Sequence, residues 1–231
     1  MATYTHVDGD LQTLANILNN SGYFDQGGVT YTSGSNFGYI ACTKGDLMFK
    51  LGETLGEGLT SNAWQIKASG LVTTYTRSVV ASDNNTNDYK PLDVYVCSGG
   101  ISIICNCGRI AIGKTNNNNE TAVMFGADPA HLSGSDAERT AQSMAYLCAI
   151  AESDSESFKS LINNTNKERY ADRYPQTYLI PVPTNGSPEK VSYTPSVMLV
   201  WLAQTRDVCH FSYNNKRYFS DGYFAIEDTA S

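Results

Sequence analysis

The stretch Ile101-Ser102-Ile103-Ile104-Cys105-Asn106-Cys107-Gly108-Arg109-Ile110-Ala111-Ile112-Gly113-Lys114 sets the expected fold. Two apolar runs are joined through Asn106-Cys107-Gly108, and Gly108 can take the positive φ of a bulged hairpin turn. Both runs are nearly continuous in apolar residues instead of alternating. That pattern predicts strands covered on both faces, at the centre of a sheet.

On the N-terminal side of this hairpin, runs of strand-forming residues recur at 29–32, 37–43, 46–51, 63–68, 71–80 and 92–97, with 122–125 following it. Gly, Asn, Asp and Ser break them at short intervals, as in antiparallel meanders. Before them, DLQTLANILNNS at 10–21 places Leu11, Leu14, Ala15 and Leu18 on one helical face. Asp8 or Asp10 can cap its start, and Gly22 stands where a left-handed C-terminal cap belongs. After the hairpin, Asn116–Asn119 is an exposed loop. A helical insert at about 135–163 opens on Ser135 and Glu138, a capping box, with Ala137, Ala141, Met144, Cys148 and Ala151 at four-three spacing. The proline-rich stretch from Pro175 to Pro195 allows only edge strands. Strands resume at 196–203 and 208–213, Asn214-Asn215 forms a two-residue turn into 216–219, and 223–226 closes the pattern. The expectation is an α+β protein, predominantly antiparallel β-sheet (sandwich or barrel-like), with an N-terminal helix and a helical insert. Residues 1–231 make a single β-rich domain.

Composition narrows the function classes. Sixteen Lys and Arg against 23 Asp and Glu give a formal net charge of -7. The basic residues, such as Lys44, Arg77, Lys114, Arg139, Lys167 and Arg217, are scattered, which argues against a nucleic-acid partner. Charged residues are 17% of the chain, while Ser, Thr, Asn, Gly and 15 Tyr are abundant, which suits wet polar contact surfaces. The first residues carry no basic and apolar signal pattern, and no apolar run reaches membrane-spanning length, so a soluble protein folded in a cytoplasm is expected, with no membrane partner. Cys42, Cys97, Cys105 and Cys148 sit among apolar neighbours and are expected as reduced core thiols.

Candidate chemistry is sparse. Cys97, Cys105, Cys107, Cys209 and His210 are soft metal ligands, but only one close Cys pair exists, so no metal site is assigned. A nucleophilic Cys–His pair would have to use His6, placed in a mobile N-terminus, His131 in a loop, or His210 on a strand. The glycines of Gly52-Glu53-Thr54-Leu55-Gly56-Glu57-Gly58 match no phosphate-binding spacing and read as a flexible loop between strands. Asp46, Glu53 and Glu57 cluster, as do Glu152, Asp154 and Glu156, without the spacing of an acid/base pair. Tyr31, Phe37, Tyr39, Trp64, Tyr75 and Tyr95 fall in expected strands, and Tyr170, Tyr174 and Tyr178 lie by the prolines. Such aromatics serve either as packing or as a contact surface. No catalytic residue, metal ligand or cofactor is therefore assigned.

Three segments carry a resemblance. The helix DLQTLANILNNSGYF, the unit Asn106-Cys107-Gly108-Arg109-Ile110-Ala111-Ile112-Gly113 and the closing strand Gly222-Tyr223-Phe224-Ala225-Ile226-Glu227 resemble bacteriophage virion structural proteins of the tail and neck. The helical insert at 135–163 departs from that pattern. The resemblance implies a non-enzymatic building block, assembled in the host cytoplasm into the virion, that docks to copies of itself or to other virion proteins. Residues 116–119 and 175–195 are then candidate contacts. A carbohydrate- or surface-binding β-sandwich module is the alternative, requiring exposed Tyr or Trp64 near Asp and Asn. A small Cys/His or carboxylate hydrolase is the third, requiring His210 or His131 beside Cys209, Cys107 or an acid.

Overall fold

The structure, a computed structural model, describes residues 1–34, 37–45, 47–53, 64–69, 76–80, 90–106, 108–114, 121–127, 178–179, 191–192, 197–199, 208–213, 215–222 and 224–229. The expected helical insert at 135–163 and the 116–119 loop lie outside these residues. Within them the protein is mostly antiparallel β-sheet with one short helix, α1 (Leu11–Asn20).

Helix α1 follows directly from its sequence. The Asp10 carboxylate accepts hydrogen bonds from the Gln12 and Thr13 amides, and from the Thr13 hydroxyl at 2.6 Å, satisfying donors that a helix start leaves free. The Thr13 hydroxyl bond, with the amide bonds, holds the Asp10 carboxyl below its usual range. Asp8 has another role: it sits at positive φ in the preceding turn and pairs with Lys90 at 2.8 Å. The helix stops at Ser21, and Gly22 adopts a φ of +74° that a side chain would resist. Leu11, Leu14, Ala15 and Leu18 form the buried stripe.

The strands are β1 (Thr3–His6), β2 (Val29–Gly34), β3 (Phe37–Lys44), β4 (Leu47–Glu53), β5 (Trp64–Ser69), β6 (Thr76–Val80), β7 (Pro91–Cys97), β8 (Gly100–Cys105), β9 (Gly108–Lys114), β10 (Thr121–Ala127), β11 (Tyr178–Leu179), β12 (Val191–Ser192), β13 (Val197–Leu199), β14 (Cys209–Tyr213), β15 (Lys216–Ser220) and β16 (Phe224–Glu227). β2 to β6 form a five-stranded meander in chain order, and β1-β7-β8-β9-β10 form a second five-stranded sheet. A four-stranded C-terminal sheet has the order β13-β16-β15-β14, and β11 and β12 make a small ribbon within the proline-rich stretch. The turn between β14 and β15 places Asn215 at a φ of +61°, and Tyr213 pairs with Lys216 across it, as a two-residue hairpin requires.

One expectation is corrected. The N-terminus is not a mobile tail: β1 pairs antiparallel with β7, His6 standing opposite Asp93 and Thr3 opposite Val96. Thr-Tyr-Thr-His is a good strand sequence, but its partner lies some ninety positions away, where local periodicity carries no information.

The central hairpin of β8 and β9 behaves as its continuous apolar runs predict. Every described residue of β8 is buried, and so are all of β9 except Lys114. On one face Val94, Ile101, Ile103, Ile110 and Ile112 share a core with Leu14 and Leu18 of α1 and with Ile40, Cys42, Phe49 and Leu51 of the meander. The other face carries Ser102 and Arg109 toward the C-terminal sheet, where Phe219, Phe224, Ala225 and Ile226 are buried. No helix among the described residues is long and apolar enough to cross a membrane.

Leu14 is fully buried where α1 meets both five-stranded sheets. Replacing it with Ala is expected to lower stability by about 2–5 kcal/mol, read as an earlier urea midpoint at unchanged slope. A loss under about 1 kcal/mol would mean that the helix does not anchor this core.

Candidate functional site

The contact between the central sheet and the C-terminal sheet gathers the polar and aromatic side chains that local sequence could not connect. At its middle, Arg109 is buried. Its Nε donates to the Asp221 carbonyl at 2.8 Å, and its Nη1 donates to the carbonyls of Cys105 at 3.1 Å and Gly108 at 2.9 Å. The guanidinium thus closes the β8–β9 turn and ties it to the turn between β15 and β16. Ser102 of β8 donates its hydroxyl to Asp221 Oδ2, while Asp221 Oδ1 accepts the Phe224 amide at 2.8 Å. Asp221 therefore caps its own turn and receives the neighbouring sheet. These are interior bonds, and leaving any of their acceptors unpaired would cost about 1–3 kcal/mol each.

Beside this cluster runs a row of rings. Tyr95 of β7 stacks on Phe219 of β15 at 4.2 Å, Tyr4 of β1 tilts onto Tyr95 at 5.1 Å, and His210 of β14 meets Phe219 edge-on at 5.5 Å. Separations in this range are favourable for aromatic pairs. A carboxylate and an imidazole stand at each end. His6 Nδ1 lies 2.7 Å from Asp93 Oδ1, which also accepts the Tyr4 hydroxyl at 2.9 Å. That bond raises the Tyr4 phenol above its ordinary value and keeps it a donor. At the other end, His210 Nε2 lies 3.2 Å from Asp228 Oδ2. The Asp228 carboxylate is fully buried, and its second oxygen lies 3.7 Å from the Met1 nitrogen. Glu227 joins the sheets through its carbonyl, which accepts the Gly99 amide and the Ser98 hydroxyl. Lys216 meets its carboxylate at 2.7 Å.

Protein-family models, curated proteins and solved structures offer no match to the chain. The chemistry of the site must therefore be read from its own side chains.

Of the pairings expected of a hydrolase, the described residues show an imidazole beside an acid, His210 with Asp228 at 3.2 Å, but no imidazole hydrogen-bonded to a thiol. Cys209 and His210 are consecutive on β14, so their side chains leave opposite faces of the strand. Both described imidazoles, His6 and His210, lie against carboxylates, and neither is hydrogen-bonded to a thiol or a hydroxyl of a described residue. Cys42, Cys97 and Cys105 are buried free thiols, each pushed up to about 12 by burial, while the free thiol of Cys209 is exposed. Among the described residues no three His, Cys, Asp or Glu side chains gather to hold a metal ion. Cys107, Cys148, His131, Asp46, Glu57, Glu152, Asp154 and Glu156 lie outside the described residues, as do the side chains of Glu53, Phe37, Trp64, Tyr75, Tyr170, Tyr174 and Tyr178. The glycine run that begins at Gly52 starts inside β4, where a Cβ on Gly52 would strike the Gly38 carbonyl and the Tyr39 backbone. Close approach of β3 and β4 accounts for that glycine.

Asp93, Asp221 and Asp228 were not singled out by the sequence, since each acts on a partner far along the chain. A signal did exist for one of them. Ser102 is the single polar residue inside Ile-Ser-Ile-Ile, and a buried hydroxyl there requires a partner from another layer.

Two outcomes are expected. Arg109→Met removes the donor that serves three buried carbonyls and should cost on the order of 3 kcal/mol in denaturant unfolding; a loss within error would show that the Arg109 bonds do not hold the sheets together. Alkylation at pH 8 with peptide mapping should label Cys209 rapidly and Cys42, Cys97 and Cys105 only on unfolding. Because folding raises these three thiols above their ordinary value of 9.0 to about 12, the stability they confer is complete below pH 9 and is lost as pH climbs toward 12. Rapid labelling of Cys105 in the folded protein would contradict its burial.

Proposed function

We propose that the chain is a non-enzymatic structural and assembly protein of a phage virion, a tail or neck component acting through protein–protein contacts. Its stacked sheets are read as a β-sandwich, with copies of itself and other virion proteins as partners and the virion as its location. The observation that carries this reading is the state of its strand edges. β1, β2 and β14 are each terminal in their sheets, their side chains are largely exposed, and none contains Lys, Arg, Asp or Glu. Terminal strands of proteins that act alone are commonly protected by charges, prolines or bulges, and unprotected ones pair with further strands. The segments that carry the virion resemblance also meet in space. Arg109 bonds to the turn that precedes Gly222, and α1 packs on the opposite face of the same β8–β9 hairpin.

Light scattering on a sizing column tests this directly. A mass that grows with protein concentration, or a defined oligomer, is expected. A single-chain mass at every concentration would overturn self-assembly as the basis of the function.

A specific observation also favours the carbohydrate- or surface-binding alternative. Tyr4 is 53% exposed, braced on Tyr95 and fixed by Asp93, which offers a ring and a carboxylate side by side. Glycan-array binding that disappears in Tyr4→Ala would favour this alternative; an array with no signal would dismiss it.

A further inference from the structure

We infer that β14 is a self-pairing edge, at which a second copy of this chain adds its own β14 antiparallel across a two-fold axis and joins two four-stranded C-terminal sheets into one. Pairing through β14 rests on the assembly reading above and names the surface and the partner for it.

β14 is terminal in its sheet, and among the described residues only β15 pairs with it. The backbone groups of 209–213 that do not face β15 make no hydrogen bond among the described residues. The strand Cys-His-Phe-Ser-Tyr carries no Lys, Asp, Glu or Pro, and no bulge interrupts its register with β15. β1 and β2 are also uncharged, but the exposed side chains of β2 are mostly Thr and Ser, and the C-terminal end of β1 is occupied by the His6–Asp93 and Asp8–Lys90 pairs. At β14 the exposure is apolar at both ends, with Val208 40% and Tyr213 39% exposed, and the half-buried Phe211 between them.

Charge and symmetry point to a copy of the same chain as the occupant. The chain carries a net charge of -7, so two copies repel one another overall. An uncharged strand is where they approach at least cost, because a two-fold axis sets like groups against like. Symmetry also selects the register. A two-fold axis normal to a continuous sheet keeps each side chain on its own face, so residues that stand opposite must be an even number of positions apart along the strand. Full overlap of 209–213 then centres on Phe211. Phe211 faces the partner's Phe211, His210 faces the partner's Ser212, and Cys209 faces the partner's Tyr213. Each Tyr213 would lie over the partner's Cys209, beside its Val208, so that the two exposed apolar ends cover one another. Within one chain Phe211 already stacks on Tyr218 at 5.6 Å. Pairing would extend that stack into a row of four rings, Tyr218 and Phe211 from each copy, the kind of cross-strand aromatic contact that stabilises sheets.

The register supplies its own test. Tyr213→Cys places a thiol opposite the partner's native Cys209, at a spacing of about 4.5–5.5 Å between Cα atoms that a disulfide spans. Within one chain the same two positions are about 13 Å apart along the strand, too far to be bridged. Mild oxidation of the folded full-length variant should yield a covalent dimer, absent from the wild type and lost again in Tyr213→Cys with Cys209→Ser. Phe211→Lys, which sets two ammonium groups together at the axis, should return the light-scattering mass to a single chain, with far-UV circular dichroism checking that it folds. If the wild type self-associates but Tyr213→Cys forms no Cys209-dependent dimer, this edge is wrong while the assembly reading stands. If the wild type never self-associates, both fail together.

Discussion

Everything in this fold depends on a sheet that is covered on both sides. A strand such as β8, buried along its whole length, has no face to give to water, so each of its polar groups must be satisfied by another layer. The Arg109 guanidinium meets most of that demand at one point. It is planar, with several donors in a fixed fork, and it reaches two carbonyls of its own turn and one from the C-terminal sheet. A lysine could not reproduce this geometry, and an apolar residue would strand the acceptors. Asp221 completes the junction by accepting from Ser102 and from its own turn. Each of the two elements is thereby shaped by the same bonds that bring them together.

The two faces of the central sheet are built on different physics. Toward α1 and the meander the contacts are almost wholly apolar: Leu14, Leu18, Ile40, Phe49, Leu51, Ile101 and Ile103 bury surface without directional demands. Such packing supplies most of the free energy of folding but tolerates sliding. Toward the C-terminal sheet the contact mixes stacked rings with directional bonds from Arg109, Ser102, Ser98 and Gly99. Those bonds contribute less per contact, but they admit one register, because a shift of a single residue would leave buried donors and acceptors unmatched. The apolar face holds the fold together, and the polar seam determines where its last layer sits.

This division explains what could be read from the sequence. Asp10, the stripe of Leu11, Leu14 and Leu18, and Gly22 each act within a few residues of one another, so α1 was legible to within a position at either end. The continuous apolar runs of β8 and β9 announced their central place, and Asn214-Asn215 announced its turn. β1 was missed because its strand character depends on β7. The seam was missed for the same reason: Arg109 and Asp221 are 112 positions apart and Ser102 and Asp221 are 119, and no periodicity links them. The histidines were visible as residues, but their carboxylate partners were not. An acidic protein offers many aspartates, and only the fold determines which of them stands 2.7 Å from an imidazole.

The distribution of charge bears on function more directly than any single residue. The ionic and polar pairs at the seam, His6 with Asp93, His210 with Asp228 and Lys216 with Glu227, link strands within the chain. The outward strands β1, β2 and β14 carry no Lys, Arg, Asp or Glu. A protein selected only to remain apart from its neighbours would place charge on those edges, since a lysine on an edge strand costs little and blocks pairing. Leaving them neutral in a chain of net negative charge keeps an overall repulsion between copies and relieves it along these strands. Among the described residues those strands are terminal in their sheets, and the backbone groups of a terminal strand confer direction as well as affinity on pairing. On the assembly we propose, copies would stay apart while dilute and meet in a fixed orientation when concentrated, which is the physical requirement for a part that assembles.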